Sequence, residues 1–245
     1  MGALSLTILL TLVAIIHGVA VGAIAIYSLV VIGVSWELVA AGLAAYFVFF
    51  VLVIARIARH LYRFPIPSFL TQLIDNPYRR RFIQKPGEIA ERMKLEPGFT
   101  VVKIGPGKGS YTKVVAEKVL PGGKVFAVDI SEEVIAKLKG RVEREGITNI
   151  IPRIEDAYNF TFADESIDRV FAIACLPEIP DHIRALKECR RILKLGGIVS
   201  LCELAPDADF PLGRTEKRWA EEAGLELKEE FGNALVYQLN FWKRP

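Results

Sequence analysis

The chain has 245 residues, enough for one large domain or two small ones, and 52% of them are hydrophobic while 24% are charged. Its three cysteines, Cys175, Cys189 and Cys202, form no CxxC pair, so the sequence indicates neither a disulfide framework nor a zinc or other metal site. Charge divides the chain into two different parts. All 31 basic residues and 27 of the 28 acidic ones fall within residues 56–245, which gives that part a net charge of +4.

The first 58 residues predict a transmembrane helical hairpin. Residues 2–36 contain no charged side chain, and the apolar run resumes after Glu37. Because a helix needs about 20 apolar residues to cross a bilayer, we predict spans over 5–27 and 37–57. A single tilted span followed by a buried helix is the alternative. A cleaved signal peptide is disfavoured, because the basic n-region is missing and the apolar stretch is too long.

A basic segment follows the predicted hairpin. Residues 56–85 hold seven Lys or Arg residues and one acid, Asp75. Since basic residues flanking a span mark its cytoplasmic end, we expect the remaining chain in the cytoplasm. Apolar residues alternate with arginines within 59–85, which is typical of an amphipathic connector on an anionic bilayer surface. Stop-transfer charge combined with a cap on the next domain is the alternative interpretation.

The segment 86–245 is predicted to form an alternating α/β domain. Strand-like runs cover 100–104, 124–129, 149–154, 167–174 and 197–204. Helix-like segments cover 88–94, 110–119, 131–145, 181–194 and 214–223. This alternation predicts a parallel sheet with helices on both faces. Two last strand-like runs, 225–228 and 234–241, flank Gly232-Asn233 and predict a terminal hairpin.

A glycine-rich turn follows the first strand of this domain and predicts a ligand site. Gly105, Pro106, Gly107 and Gly109 would let the backbone turn sharply and approach a ligand closely. The second strand ends in Asp129, 24 residues after the first glycine, where a carboxylate accepts hydrogen bonds from ribose hydroxyls. Together they predict an adenosine-containing cofactor. An ordinary strand-to-helix turn is the alternative for the glycines alone.

Three further motifs accompany this turn: Arg153–Ala157 at the end of the third strand, Asp164–Phe171 leading into the fourth, and Ile192–Ile198 leading into the fifth. In this order and spacing they resemble class I S-adenosylmethionine-dependent methyltransferases. The nearest resemblance is to the small-molecule branch with ubiquinone/menaquinone-biosynthesis and phospholipid N-methyltransferases. It implies an α/β, Rossmann-like methyltransferase sheet, parallel with a terminal antiparallel hairpin, over residues 86–245.

The resemblance also implies that S-adenosyl-L-methionine is the cofactor. The glycine turn would lie beneath its methionine and ribose, Asp129 would bind the ribose, and Ile130 would pack on the adenine. Asp156 would take the adenine amino group and Ala157 its ring edge, while Ala174, after the fourth strand, completes the predicted site. NAD is the alternative ligand, but the turn lacks the third glycine of GxGxxG.

One residue departs from the family pattern. Lys103, two residues before Gly105, stands where members usually have an acid that helps to hold the ammonium group of the donor. A lysine reverses the local charge, and Lys108 adds a second cation nearby. We therefore expect either that Lys103 binds a different anion or that cofactor affinity is reduced.

Methyl transfer from a sulfonium depends mainly on positioning, and no nucleophilic triad is evident in the sequence. Glu178 and His182 follow the fourth strand and are the candidates to remove a proton or stabilise a cationic amine. Capping of the next helix is their alternative role. The Asn/Asp-Pro-Pro-aromatic tetrapeptide of methylases that act on base amines is absent, so a nucleic acid partner is not expected.

These patterns together predict a membrane-anchored methyltransferase. Its partners would be the lipid bilayer and a lipophilic small-molecule substrate, either an isoprenoid quinone or a phospholipid headgroup. A catalytically inactive membrane scaffold and a methyltransferase acting on a protein are the alternatives.

Overall fold

The computed structural model describes residues 17–28, 30–61, 76–205, 207 and 209–244, with positions 48 and 51–61 described through their backbone alone. The chain divides into two compact units, Met1–Ala58 and Arg59–Pro245. Of the predicted surface connector 59–85, residues 62–75 lie outside this description.

The first unit is helical. Residues 17–28 form one helix and α1 (Trp36–Leu61) forms another. The His17 ring lies between them, stacked on Tyr46 and Phe50 at centroid distances of 5.6 and 5.5 Å. Aromatic stacking thus joins the two helices.

The predicted transmembrane hairpin is not supported. None of the helices among the described residues combines the length and the apolar character that a membrane crossing demands. The side chains of α1 are described only as far as Phe50, and residues 5–16 of the first predicted span lie outside the description.

The second unit is an α/β domain whose elements alternate along the chain. They are α2 (Pro86–Arg92), β1 (Thr100–Ile104), α3 (Ser110–Lys118), β2 (Lys124–Asp129), α4 (Glu132–Arg144), β3 (Ile150–Ile154), β4 (Ile167–Ile173), α5 (His182–Ile192), β5 (Leu193–Leu204), α6 (Gly213–Glu222), β6 (Glu226–Gly232) and β7 (Val236–Trp242). A π-helical turn, Arg79–Ile83, precedes α2.

The seven strands form one sheet in the order β3-β2-β1-β4-β5-β7-β6. Strands β1 to β5 are parallel, while β7 runs antiparallel to both β5 and β6. This confirms the predicted Rossmann-like sheet with a terminal antiparallel hairpin. Its open edges are β3, which contains Pro152, and β6, whose sequence ELKEEFG is rich in charge.

Successive strand residues point to opposite faces, so each strand contributes to two apolar layers. One layer contains Val102, Val128 and Val170 and packs against α5 and α6. The other contains Val101, Ala127 and Phe171 and packs against α2, α3 and α4. Because helices cover both faces, the carboxyl ends of the parallel strands form the accessible edge, where ligands of open α/β sheets bind.

Candidate cofactor site

The glycine turn lies at the carboxyl end of β1. Gly105, Gly107 and Gly109 have φ values of +63°, +52° and +80°, a region that side chains strongly disfavour. A Cβ atom on Gly105 would overlap the Cys175 sulfur, whereas one on Gly107 would meet open space. Backbone conformation and packing therefore both require glycine at Gly105. At Gly107 the conformation requires it, and the space beside the backbone is available to a ligand.

Asp129 ends β2 directly beside this turn. The register Ile104↔Val128 aligns β1 with β2, and the Gly105 amide donates to the Val128 carbonyl at 3.0 Å. Asp129 is half-buried and its Oδ1 accepts a hydrogen bond from the Ser131 amide at 2.9 Å. Burial raises the pKa of Asp129, while the Ser131 amide and the charge of Lys103 partly offset that effect. The sheet thus brings the predicted ribose ligand and the glycine turn together.

The third strand brings further predicted residues to the same edge, since Asp129 pairs with Ile154 in the register. Ile130 is 60% exposed next to Asp129, so its side chain is available for stacking on a base. Asp156 is exposed and its Oδ1 accepts from the Tyr158 amide at 2.9 Å. Ala157 is buried in the apolar layer.

Ala174 follows β4 and has a φ of +47°. Left-handed backbone at a residue with a side chain is costly and concentrates at functional sites. Its amide donates to the Cys202 carbonyl at 2.9 Å, which fixes the turn against β5. The strain lies where the sequence predicts contact with the cofactor.

Lys103 points into the core beneath the turn. Its side chain is 2% exposed, its Nζ donates to the Ile104 carbonyl at 2.7 Å, and it lies 5.2 Å from the centre of the Phe171 ring. Burial lowers the pKa of this ammonium group, and neighbouring Cys175 acts in the opposite direction. The buried ammonium group therefore has a backbone carbonyl as an acceptor within the protein.

The two candidate catalytic residues follow β4. Glu178 is half-buried in a short 3₁₀ turn, and its amide donates to the Cys175 carbonyl at 3.1 Å. His182 opens α5 and is buried, with its ring stacked on Trp219 of α6 at 3.8 Å and 11°. This stacking gives His182 a role in helix packing, and the catalytic roles of both residues stay predictions.

A segment that sequence reasoning assigned to the lipid surface also contacts the site. We call residues 76–85 the cover segment. Its Arg80 side chain donates to Ser110 Oγ at 3.1 Å, and the backbone carbonyl of its Gln84 accepts from the Tyr111 hydroxyl at 3.0 Å. Ser110 and Tyr111 both belong to α3. The Gln84 side chain also donates, through Nε2, to the backbone carbonyl of Glu203 on β5 at 3.1 Å. The cover segment therefore bridges the carboxyl edge from the glycine turn to β5.

Sequence reasoning missed two buried carboxylates, Glu203 near the end of β5 and Glu216 on α6. Glu203 pairs with Tyr237 in the β5–β7 register, and its carboxylate oxygens accept no hydrogen bond from the described residues. Burial and the neighbouring Glu216 raise the pKa of Glu203 well above its ordinary value. Burial raises the pKa of Glu216 to about 8. The only sequence signal was an acid, Glu203, inside the otherwise uncharged run 197–204.

Known proteins resemble this domain in sequence and in fold. Residues 102–201 match the family described as "Methyltransferase domain". The catalytic subunit of tRNA (adenine(58)-N(1))-methyltransferase from Yarrowia lipolytica is 30% identical over 191 residues, covering 70% of this chain and 48% of that protein. Demethylmenaquinone methyltransferase from Geobacillus stearothermophilus is 31% identical over 131 residues, covering 54% of this chain and 56% of the relative. The chain thus spans about half the length of these curated relatives.

A solved structure agrees with the fold over a longer stretch. The crystal structure of a SAM dependent methyltransferase from Aquifex aeolicus has a TM-score of 0.68 at 19% identity, covering 73% of this chain and all of that one. The glycine turn and the acid at the end of β2 belong to the same sheet as the antiparallel β7. The sequence match over residues 102–201 and the fold together identify an S-adenosylmethionine-dependent methyltransferase domain within the chain.

Proposed function

We propose that the protein transfers a methyl group from S-adenosyl-L-methionine to a lipophilic small molecule, either an isoprenoid quinone or a phospholipid headgroup. The observation that carries methyl transfer is the juxtaposition of the left-handed glycine turn with Asp129 at the carboxyl edge. The lipophilic acceptor draws support from relatives named demethylmenaquinone methyltransferase and from apolar side chains exposed at the same edge.

In this proposal the chain acts mainly by positioning. The bound cofactor supplies a methyl group that is already electrophilic. Backbone at Gly105 and Gly107 provides close approach, and Asp129 fixes the ribose by charge-assisted hydrogen bonds. The cover segment would exclude water from one side of the edge. Glu178 would accept the proton that the acceptor oxygen or nitrogen loses when it is methylated.

Contact with a membrane surface is the second part of the proposal. Tyr78 and Phe82 are exposed on the cover segment, and the Arg81 guanidinium lies 5.7 Å from the Phe82 ring centre. Aromatic rings beside arginine suit the interface of an anionic bilayer. Residues 2–36 contain no charged side chain and would favour contact with the apolar part of a bilayer. The basic residues from Arg56 onward favour a cytoplasmic position for the domain that follows.

Incubation of the full-length protein with methyl-labelled donor tests the proposal. A total lipid extract and bulk tRNA are offered in parallel, and calorimetry measures donor binding. We expect saturable donor binding and label in the lipid phase only, with Asp129→Ala losing both. Label in tRNA would contradict the lipophilic acceptor and favour chemistry like that named for the Yarrowia relative. Donor binding without any labelled product in lipid or protein would favour the inactive scaffold.

A further inference from the structure

A cleft of about 440 Å³ opens at the amino edge of the sheet, and nothing described so far uses it. All the residues that line it are charged, namely Asp164, Glu165, Lys187, Arg190, Arg191 and Lys243. They come from the loop before β4, the C-terminal half of α5 and the residue after β7. Because β4 begins beside the cleft and ends beside the predicted donor site, its seven residues separate the two by roughly 20 Å. The cleft is therefore distinct from the cofactor site.

Four of these residues form two ion pairs within the cleft. Arg191 donates to the Asp164 carboxylate at 2.5 Å. Lys243 is 8% exposed, and its Nζ donates to Glu165 at 2.9 Å and to the Leu193 carbonyl at 3.0 Å. Glu165 makes its pair from a left-handed backbone with a φ of +54°, a conformation that costs energy and concentrates at functional sites. The charges of these four residues cancel, so the net charge of the cleft comes from the other two.

The other two residues are cations without an acidic partner. Lys187 and Arg190 are both exposed on α5, and neither forms an ion pair with any residue in the described part of the chain. Arg190 is nevertheless held in place, because its Nε donates to the Gly224 carbonyl at 2.9 Å. A Cβ atom on Gly224 would come within 3.1 Å of that Nε, so glycine admits the guanidinium here. The cleft thus presents one oriented guanidinium and one flexible ammonium group.

The charge and shape of these two groups favour one class of ligand. Two uncompensated cations balance one dianion. A phosphate monoester carries a charge of about −1.5 to −2 near neutral pH, whereas a carboxylate carries a single negative charge. The planar guanidinium also matches two oxygens of a phosphate group. Since ligand pockets usually span about 300–1,000 Å³, the cleft has room for the body to which the phosphate is attached.

We infer that this cleft is a second binding site, which takes the phosphate monoester group of a small molecule or of a lipid. Arg190 would bind two phosphate oxygens, and Lys187 would supply the second positive charge. The inference is independent of the proposed methyl acceptor, because the cleft lies at the opposite edge of the sheet from the donor.

Two variants and a control with the same loss of charge test the site in the full-length protein. Lys187→Gln removes one cation of the cleft, and Lys187→Gln/Arg190→Gln removes both. Lys217→Gln/Arg218→Gln is the control, because it removes two cations of α6 that do not line the cleft. Equilibrium dialysis at low ionic strength measures binding of glycerol 3-phosphate and of glycerate, which carries a carboxylate in place of the phosphate. Cosedimentation measures binding to vesicles that contain phosphatidic acid, and calorimetry measures donor binding by each protein.

We expect wild type and the control to bind glycerol 3-phosphate within about twofold of each other and more tightly than glycerate. Lys187→Gln should weaken this binding about threefold, and the double variant of the cleft about tenfold or more, as expected for charge-assisted hydrogen bonds. Donor affinity should change less than about twofold in all variants.

The outcomes also separate the two sources of the phosphate. Binding to phosphatidic acid vesicles alone, lost in the double variant of the cleft, would assign the phosphate to a lipid and still support the site. Binding of neither phosphate probe, an equal loss in the control, unchanged binding by the double variant, or equal affinity for glycerate would overturn the inference.

Discussion

Glu216→Gln is expected to stabilise the protein in a pH-dependent way. Glu216 lies in the first turn of α6 with no solvent exposure, and burial raises its pKa from the ordinary 4.5 to about 8. The folded state therefore keeps a proton that the unfolded state releases between these two values. The contribution of Glu216 to the free energy of unfolding is therefore largest below pH 4.5 and falls as the pH rises towards 8. Glutamine mimics the neutral carboxyl at every pH.

The pKa difference sets the size of the effect. One carboxyl with these two pKa values lowers the free energy of unfolding by roughly 2–3 kcal/mol between about pH 5 and pH 7. The gain from Glu216→Gln should grow by the same amount over that range and level off above about pH 8. Glu203 is coupled to Glu216, so the stability of the Glu216→Gln variant should retain some pH dependence from Glu203.

Urea denaturation between about pH 5 and 8 measures this difference, followed by the fluorescence of the three tryptophans, of which Trp219 lies one turn from Glu216 on α6. Glu221→Gln is the matched control, since Glu221 is exposed on the same helix. Its unfolding free energy should track wild type at each pH. A gain for Glu216→Gln that stays constant with pH, or matches Glu221→Gln, would refute the assignment of a buried neutral carboxyl.

Three further predictions concern the cofactor site. Asp129→Ala should weaken donor binding by about 1.5–3 kcal/mol in calorimetry, the range for hydrogen bonds to charged groups. Unchanged affinity in a folded variant would show that Asp129 does not bind the ribose. Gly105→Ala should lower the free energy of unfolding in urea by more than Gly107→Ala, since only the former adds overlap with Cys175 to a positive φ. Lys103→Met should leave donor affinity within about twofold and not lower stability, because it removes a buried cation. A tenfold loss of donor affinity in Lys103→Met would show instead that the Lys103 ammonium group takes part in cofactor binding.

Strand positions were largely predictable, because apolar runs ending in glycine or acid coincide with β1 and β2 residue for residue. The start of β5 was not. It begins at Leu193, directly after α5, although Gly196-Gly197 favoured a turn up to residue 197. The Gly196 amide donates to the Lys243 carbonyl at 2.8 Å, so pairing with the distant end of the chain extends the strand. Local sequence carries no information about that partner.

The candidate site was predictable in its backbone and not in its side-chain environment. The glycines and Asp129 are marked by local conformation and strand ends, which sequence patterns report. The direction of Lys103 depends on strand alternation combined with packing against Phe171. Burial of Glu216 depends on how α6 meets β7, and the cover segment reaches β5 across more than a hundred residues through Gln84. These are tertiary contacts that a single sequence does not encode locally.

The two outer strands have a consequence for assembly. An exposed strand edge offers unpaired amides and carbonyls to any other chain in solution, which leads to sheet extension and aggregation. At β3 the ring of Pro152 removes one amide donor, and at β6 four of seven residues are charged and the pairing slips between Leu227 and Glu229. Growth of the sheet into neighbouring molecules is thus resisted at both ends by different chemistry. The sheet can stay open-edged without becoming a template for fibres.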